Sequence, residues 1–212
     1  MDSEEHPLES TTRTFDTTEG VLTYAELSDL IAPKLLKLLD DITNGEFINR
    51  PYDESLITDF HYRIIGKVIP DIAGKWRSVP VGVGNWLPPE PFEIPIKMRE
   101  YVNNMQVRIN HADSLDLQIE ALAYAEGEFL HIHPFQDFNG RTIRALLAEL
   151  MMRFDLPRID TSVPRGTEKY KQYQNALAEY DNGRMSYLVE FWQRRFEEGV
   201  NESGDESLAR HR

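Results

Sequence analysis

The sequence predicts an all-α bundle that carries one small β-hairpin flap. Three observations lead there. Apolar residues recur at helical spacing in nearly every segment between residues 24 and 196, strand-type alternation is confined to residues 76–83, and glycine and proline crowd residues 82–91. At 212 residues the chain suits one domain with tails: a polar, Thr-rich and acidic tail over 1–20, a domain over 21–198, and a second tail over 199–212.

The first helix is expected over Tyr24 to Ile42, where Leu27, Leu30, Ile31, Leu35, Leu38, Leu39 and Ile42 keep helical spacing; Pro33 marks a kink or break and Asn44-Gly45 a stop. A second helix follows over Pro51 to Ile69, with Leu56, Ile57, Phe60, Ile64 and Ile65 on one face. His61 beside that face has no acidic or metal-ligand partner at useful spacing, so it reads as structural or surface. Residues 76–89 read as a short hairpin or extended flap, and Ile96 to Val107 as a further helix. From about Ser114 another helix runs to His133, where Pro134 disfavours continuation. The next begins near Asn139, with Ile143, Leu146, Leu147, Leu150, Met151 and Phe154 on its apolar stripe. Tyr170 to Ala178 and Tyr187 to Phe196 complete the set.

Composition excludes several classes. No cysteine is present, so there is no disulfide framework, thiolate chemistry or Cys-based zinc site. The start, Met1-Asp-Ser-Glu-Glu, has no signal-peptide core, and no stretch is apolar for long enough to span a bilayer; a cytoplasmic protein is expected. A net charge of −13 works against nucleic-acid and anionic-membrane partners. No Walker sequence occurs, and Gly82-x-Gly84 lacks the third glycine of a dinucleotide fold.

Polar chemistry is densest in His133-Pro-Phe-Gln-Asp-Phe-Asn-Gly-Arg-Thr-Ile-Arg144, between two helices. A helix N-terminus offers unpaired amides and a positive dipole end to an anion, here at Asn139 and Gly140. Arg141 and Arg144, three apart, lie on one helix face and suit phosphate oxygens. Asp137, the only carboxylate in the loop, suits a Mg²⁺ ion that keeps most of its waters beside bound phosphates. His133 ends the preceding helix, where a neutral imidazole can accept a proton and the helix C-terminus favours the imidazolium.

These residues resemble the Fic family signature His-x-Phe-x-Asp/Glu-Gly-Asn-Gly-Arg-x-x-Arg. The resemblance implies a Fic-like helical bundle, with similarity over roughly residues 50–196, that transfers AMP from ATP, with Mg²⁺, to a Ser, Thr or Tyr hydroxyl of a target protein. It makes His133 the general base, Asp137 the metal ligand, and Asp137, Phe138, Asn139, Gly140, Arg141 and Arg144 the nucleotide-binding loop, with Phe135 a buried anchor. By position it adds Val83, Gly84, Asn85 and Trp86 to the nucleotide site, has the target dock on the flap at 76–89, and sets Tyr173 against the adenine. Trp86 reads equally as a core aromatic, and Tyr173 as one of an aromatic stripe with Tyr170, Leu177 and Tyr180.

One position departs: Phe138 stands where the family pattern has Gly. Glycine serves where backbone takes φ > 0 or closely approaches a ligand. Either the loop is differently shaped, or only the amide is needed and the ring turns away. The family also transfers UMP, phosphocholine or phosphate, so these stay open, as does a catalytically silent nucleotide- or protein-binding module in which Phe138 fills the cradle. The family's inhibitory pattern, Ser/Thr-x-x-x-Glu-Gly/Asn, has no match. Glu19, Glu126 and Glu198 precede Gly, but Phe15, Leu122 and Arg194 stand four residues before them. Inhibition is therefore expected to be absent, differently built, or supplied by a separate partner chain; an oligomer is compatible.

Overall fold

The computed structural model describes residues 13–84 and 86–209, with side chains described as far as Asn201. It contains a two-stranded antiparallel sheet, β1 (Thr14–Thr17) and β2 (Gly20–Thr23), followed by α1 (Tyr24–Thr43), α2 (Glu54–Ile65), a 3₁₀ turn (Pro91–Glu93), α3 (Ile94–His111), α4 (Leu115–Ile132), α5 (Asn139–Arg153), α6 (Glu168–Asp181) and α7 (Ser186–Ala209). The helical class expected from the apolar spacing therefore holds. Among the described residues no helix is long and apolar enough to cross a membrane.

The pair α4 and α5 forms the centre. Helices α1 and α2 pack against α5, while α3 and α7 pack against α4. Each helix start carries a local reason. Thr23 and Glu26 form a reciprocal capping box on α1, and the side chains of Asp53, Ser114 and Thr167 accept amides at the starts of α2, α4 and α6. Leu27, Ile31, Leu38 and Ile42 seal α1 to the core, and Leu56, Ile57, Phe60, Ile64 and Ile65 seal α2. Burying one such side chain stabilises by about 1.5–3 kcal/mol.

Four expectations need correction. Helix α1 passes through Pro33 without breaking; the residue lies on the exposed face, where the loss of one backbone hydrogen bond is tolerated. The sheet is at residues 14–23, inside the stretch read partly as a tail. Phe15 and Leu22 are cross-strand partners whose side chains pack on the core. Among its described residues the flap at 76–89 is extended chain with the single bridge Val83–Trp86 and no ladder of strands, and its prolines supply no donors to extend one. Finally α7 continues through Gly199 to Ala209 instead of giving way at 199. A Cβ at Gly199 would meet Ile159 Cγ2 at 2.6 Å, so this glycine marks a close helix-to-loop contact and no helix end.

Candidate functional site

The central loop joins two helix ends, as its spacing predicts. Helix α4 stops at Ile132, and His133 takes the left-handed conformation (φ 50°, ψ 61°), with its amide donating to the Phe129 carbonyl at 2.9 Å. Its imidazole is largely shielded, and Nδ1 has no well-aligned partner. Burial, reinforced by the nearby Arg77 charge and only partly opposed by the Leu130 carbonyl, pushes its pKa down to about 4. The imidazole is thus neutral at pH 7. The stabilisation of an imidazolium expected from the helix end is outweighed.

A helix C-terminus leaves its last carbonyls unpaired, and the flap takes these up. The Trp86 indole Nε1 donates to the His131 carbonyl at 3.1 Å. Arg77 Nη2 reaches the Ile132 carbonyl, Arg77 Nε donates to the His133 carbonyl at 2.8 Å, and the Arg77 amide donates to the Pro134 carbonyl at 2.9 Å. The same guanidinium donates to the Val79 and Pro89 carbonyls, holding the flap's two limbs. Arg77, only 3% exposed, went unread in the sequence; a basic residue among extended, proline-rich chain was the available signal.

His61 is structural, as read, and its partners are now clear. Its Nδ1 accepts the Gly74 amide at 2.9 Å, which makes Nε2 the protonated nitrogen that donates to the Asp137 carbonyl at 3.2 Å. Its ring stacks on Phe135 at 3.8 Å, and burial pushes its pKa down to about 4. Phe135 is fully buried, the expected anchor. Both ends of the Asn139 side chain are used within the loop: Oδ1 accepts the Phe135 amide and Nδ2 donates to the Phe135 carbonyl. Only its backbone faces the helix mouth.

Phe138 adopts the left-handed conformation that glycine would give (φ 59°, ψ 16°). Its carbonyl accepts the amides of Arg141 and Thr142, leaving those of Asn139 and Gly140 at the open helix end. The ring is 5% exposed and lies against Phe15 of β1 (5.9 Å between centroids) and under the Arg141 guanidinium. The ring is turned away onto the hairpin while the backbone takes a left-handed conformation, and the Phe138 amide donates to Asp137 Oδ1.

The two arginines differ. Arg141 Nη2 donates to Ser28 Oγ at 2.8 Å, its charge lies over Tyr24, and burial lowers its pKa; Nη1 is buried without a partner. Arg144 makes one weak bond, to the Gly140 carbonyl, and lines two cavities. One, of about 360 Å³, is walled by Gly140, Arg144, Tyr173, Glu126 and the loop at 161–164. The other, of about 300 Å³, lies between Arg144, Leu35, Leu39 and Met151. The structure therefore brings Gly140, Arg144 and Tyr173 to one cavity, whereas His133, Asp137 and the flap residues do not line it. Val83 and Trp86 form the bridge that closes the flap tip around Gly84 (φ 55°); Asn85 lies outside the described residues. Tyr173 donates its hydroxyl to Glu126, a buried carboxylate that also receives Trp192 and Arg195 and that the sequence brought up only as a non-matching inhibitory glutamate.

Asp137 Oδ1 accepts the Phe138 amide, and Oδ2 stands 2.7 Å from Arg13 Nη2, an ion pair off-line for a hydrogen bond. Among the described residues no three His, Cys, Asp or Glu side chains cluster to hold a metal ion. One shielded carboxylate oxygen opposed by a cation still fits Mg²⁺ that takes its remaining ligands from water and phosphate.

The chain matches the Fic/DOC family over residues 51–151. It is 32% identical over 135 residues to "Protein adenylyltransferase Fic" of Drosophila persimilis, covering 64% of this chain and 25% of that protein. The chain spans about a quarter of the length of the curated relatives it matches. Among solved structures it is similar to the N-terminal FIC domain of the VirB-translocated effector Bep8 from Bartonella sp. 1-1C, with TM-score 0.71 and 16% identity over 90% of this chain and 93% of that one. It is also similar to BepC with bound AMPPNP from Bartonella tribocorum, with TM-score 0.64 and 16% identity over 87% and 92%. At these identities the structural likeness is one of fold.

Proposed function

Residues 51–151 are a Fic/DOC-family domain, and from that premise we propose that the chain transfers AMP from ATP to a Ser, Thr or Tyr hydroxyl of a target protein. The observation that carries this reading is the pair of helix ends joined by residues 133–139. A neutral His133 closes one, and two unpaired amides with Arg141 and Arg144 open the other.

The acceptor oxygen attacks the α-phosphorus, a new P–O bond forms and pyrophosphate leaves, while His133 takes the hydroxyl proton. A base with a pKa near 4 is weak on its own; triphosphate charge close by raises it toward the working pH, which ties proton acceptance to a bound nucleotide. The Asn139 and Gly140 amides absorb charge on the transferred phosphate, and Arg144, little engaged by protein, takes the outer phosphates. Asp137 would hold Mg²⁺ through Oδ2 once Arg13 swings aside, and the ion when bound supplies neutralising charge to the phosphate oxygens. Tyr173 is assigned to the nucleoside end of the 360 Å³ cavity. The target is taken up along the flap, 76–89, and use of ATP fits a cytoplasmic setting. An inhibitor, if required, is a separate chain. Phe138, turned onto the hairpin, does not fill the helix mouth, which favours this reading over a silent module.

Incubation with α-labelled ATP, MgCl₂ and candidate acceptor proteins tests it. Wild type is expected to deposit AMP on a hydroxyl residue, and His133→Ala to lose about 10²–10⁴-fold in rate. Undiminished labelling by His133→Ala, or transfer of the γ-label in place of the α-label, overturns it.

A further inference from the structure

Three elements meet at His131. The residue sits on the last turn of α4, two before His133, and its Nδ1–H donates to Asp181 Oδ1, the final residue of α6, at 2.8 Å. Its carbonyl receives the Trp86 indole N–H at 3.1 Å, and its ring lies against the Trp86 indole, 4.4 Å between centroids. Trp86 in turn exchanges both backbone hydrogen bonds with Val83, closing the flap tip. The approach of α6 is made possible at Gly127 on α4, where a Cβ would meet the Tyr180 ring at 2.5 Å. Tyr180 is also tied to α4 by donating its hydroxyl to Glu128 Oε2 at 2.9 Å. Glycine inside a helix is unfavourable by roughly 1 kcal/mol relative to alanine, so its presence under Tyr180 is explained by this close packing.

We propose that His131 is a positioning residue. Its imidazole, oriented by Asp181, seats Trp86 and so fixes the flap tip relative to His133, setting the line along which an acceptor segment is presented to the base. The reasoning is geometric. Arg77 fastens the limbs of the flap to the end of α4, but its bonds all lie at Val79, Pro89 and residues 132–134, away from the tip. Among the described residues the tip's side-chain tie to α4 is Trp86, and the ring beneath it, which packs on Trp86 and Tyr180, has its plane and tautomer set by the partner that holds its nitrogen. Asp181 holds it, and by doing so links the flap to α6, the helix that carries Tyr173. A group two residues from the base thereby gains influence over the reaction with no contact to a reacting atom. The consequence for catalysis rests on the transferase reading; the seating of the flap does not.

Backbone amide exchange over residues 79–89, read by mass spectrometry, tests the seating. His131→Ala and Asp181→Ala are expected to speed exchange of this segment by about tenfold or more with α2 and α5 unchanged. His131→Phe, which keeps a ring under Trp86 but loses the donor, should do the same, whereas Asp181→Asn, which keeps an acceptor oxygen, should stay near wild type. Thermal unfolding of each variant guards against general loss of structure. Unchanged exchange in His131→Ala, or equal loosening in Asp181→Asn and Asp181→Ala, overturns the assignment.

The catalytic consequence is read with α-labelled ATP, MgCl₂ and a pool of synthetic peptides each bearing one Ser, Thr or Tyr. Apparent KM for the peptides should rise about fivefold or more in His131→Phe while ATP affinity and kcat stay within about twofold. A loosened flap with unaltered KM overturns the positioning role. Absence of any transfer by wild type, with protection of 79–89 still dependent on Asp181, overturns the transferase reading and leaves the seating established.

Discussion

Replacing Phe138 separates two contributions that act in opposite directions at one residue. The φ of 59° is a conformation in which a side chain costs on the order of 1 kcal/mol or more, and glycine does not. The ring, 5% exposed and packed on Phe15 and Arg141, contributes burial of about 1.5–3 kcal/mol. Phe138→Ala loses the ring and keeps most of the strain, so destabilisation of about 2–4 kcal/mol is expected. Phe138→Gly loses the ring and also releases the strain, so it should be the more stable of the two by about 1 kcal/mol, the reverse of the order found inside helices. In a chain of this size that gap is about 2–4 °C in Tm. Urea and thermal unfolding of both variants, with Phe15→Ala as the partner control, give the ordering directly. If Phe138→Gly is the less stable variant, the ring is not compensating a strained backbone and the account of this departure fails.

Three further outcomes follow from the geometry. His61 and His133 have folded pKa values near 4 against about 6.5 unfolded, so the unfolded chain binds more protons between those values; stability should be complete above pH 6.5 and fall as pH drops toward 4, by about 2 kcal/mol per histidine at pH 5. Unfolding midpoints measured from pH 7.5 to 4.5 check it, and a flat profile contradicts the buried neutral state. Arg77→Lys should destabilise by about 2–3 kcal/mol and rescue little relative to Arg77→Ala, since an ammonium cannot span the carbonyls of residues 79, 89, 132 and 133 together; full rescue by lysine in urea unfolding would refute that. Removing the half-exposed Arg13 should raise Mn²⁺ affinity in the presence of ATP, by no more than about fivefold because an exposed ion pair is weak; an unchanged or lower affinity by electron paramagnetic resonance would show that Asp137 is not the cation's ligand.

The helices were legible because each carries an uninterrupted apolar stripe, and α4's end at His133 because a proline follows. The hairpin at 14–23 was hidden for a physical reason: its strands are four residues long, each turns one large apolar side chain to the core while Val21 stays exposed, and the surrounding threonines and acids look like solvated chain. Gly199 misled because a glycine that admits a neighbour is indistinguishable in one dimension from a glycine that ends a helix. Within the site, residue types were readable and their pairings were not. Arg141 with Ser28 and Asp137 with Arg13 join residues more than a hundred positions apart, and no local pattern encodes them. The sequence placed the Asn139 amide at the helix mouth but did not reveal that its side chain ties the loop to Phe135, since an amide side chain serves a ligand or its own loop with the same chemistry. The depressed pKa of His133 depends on how tightly neighbouring chain wraps it, which spacing does not report.

The family match begins at residue 51, yet the polypeptide that shapes the loop begins far earlier. Phe15 shields Phe138, Ser28 engages Arg141, and Leu27, Ile31, Leu38 and Ile42 close the core over α5. A truncation drawn at the homology boundary would strip one wall from the central loop while leaving every signature residue in place. Expression work on this chain is best designed around the architectural unit, from the first strand onward, and a bulky tag is better carried at the other terminus.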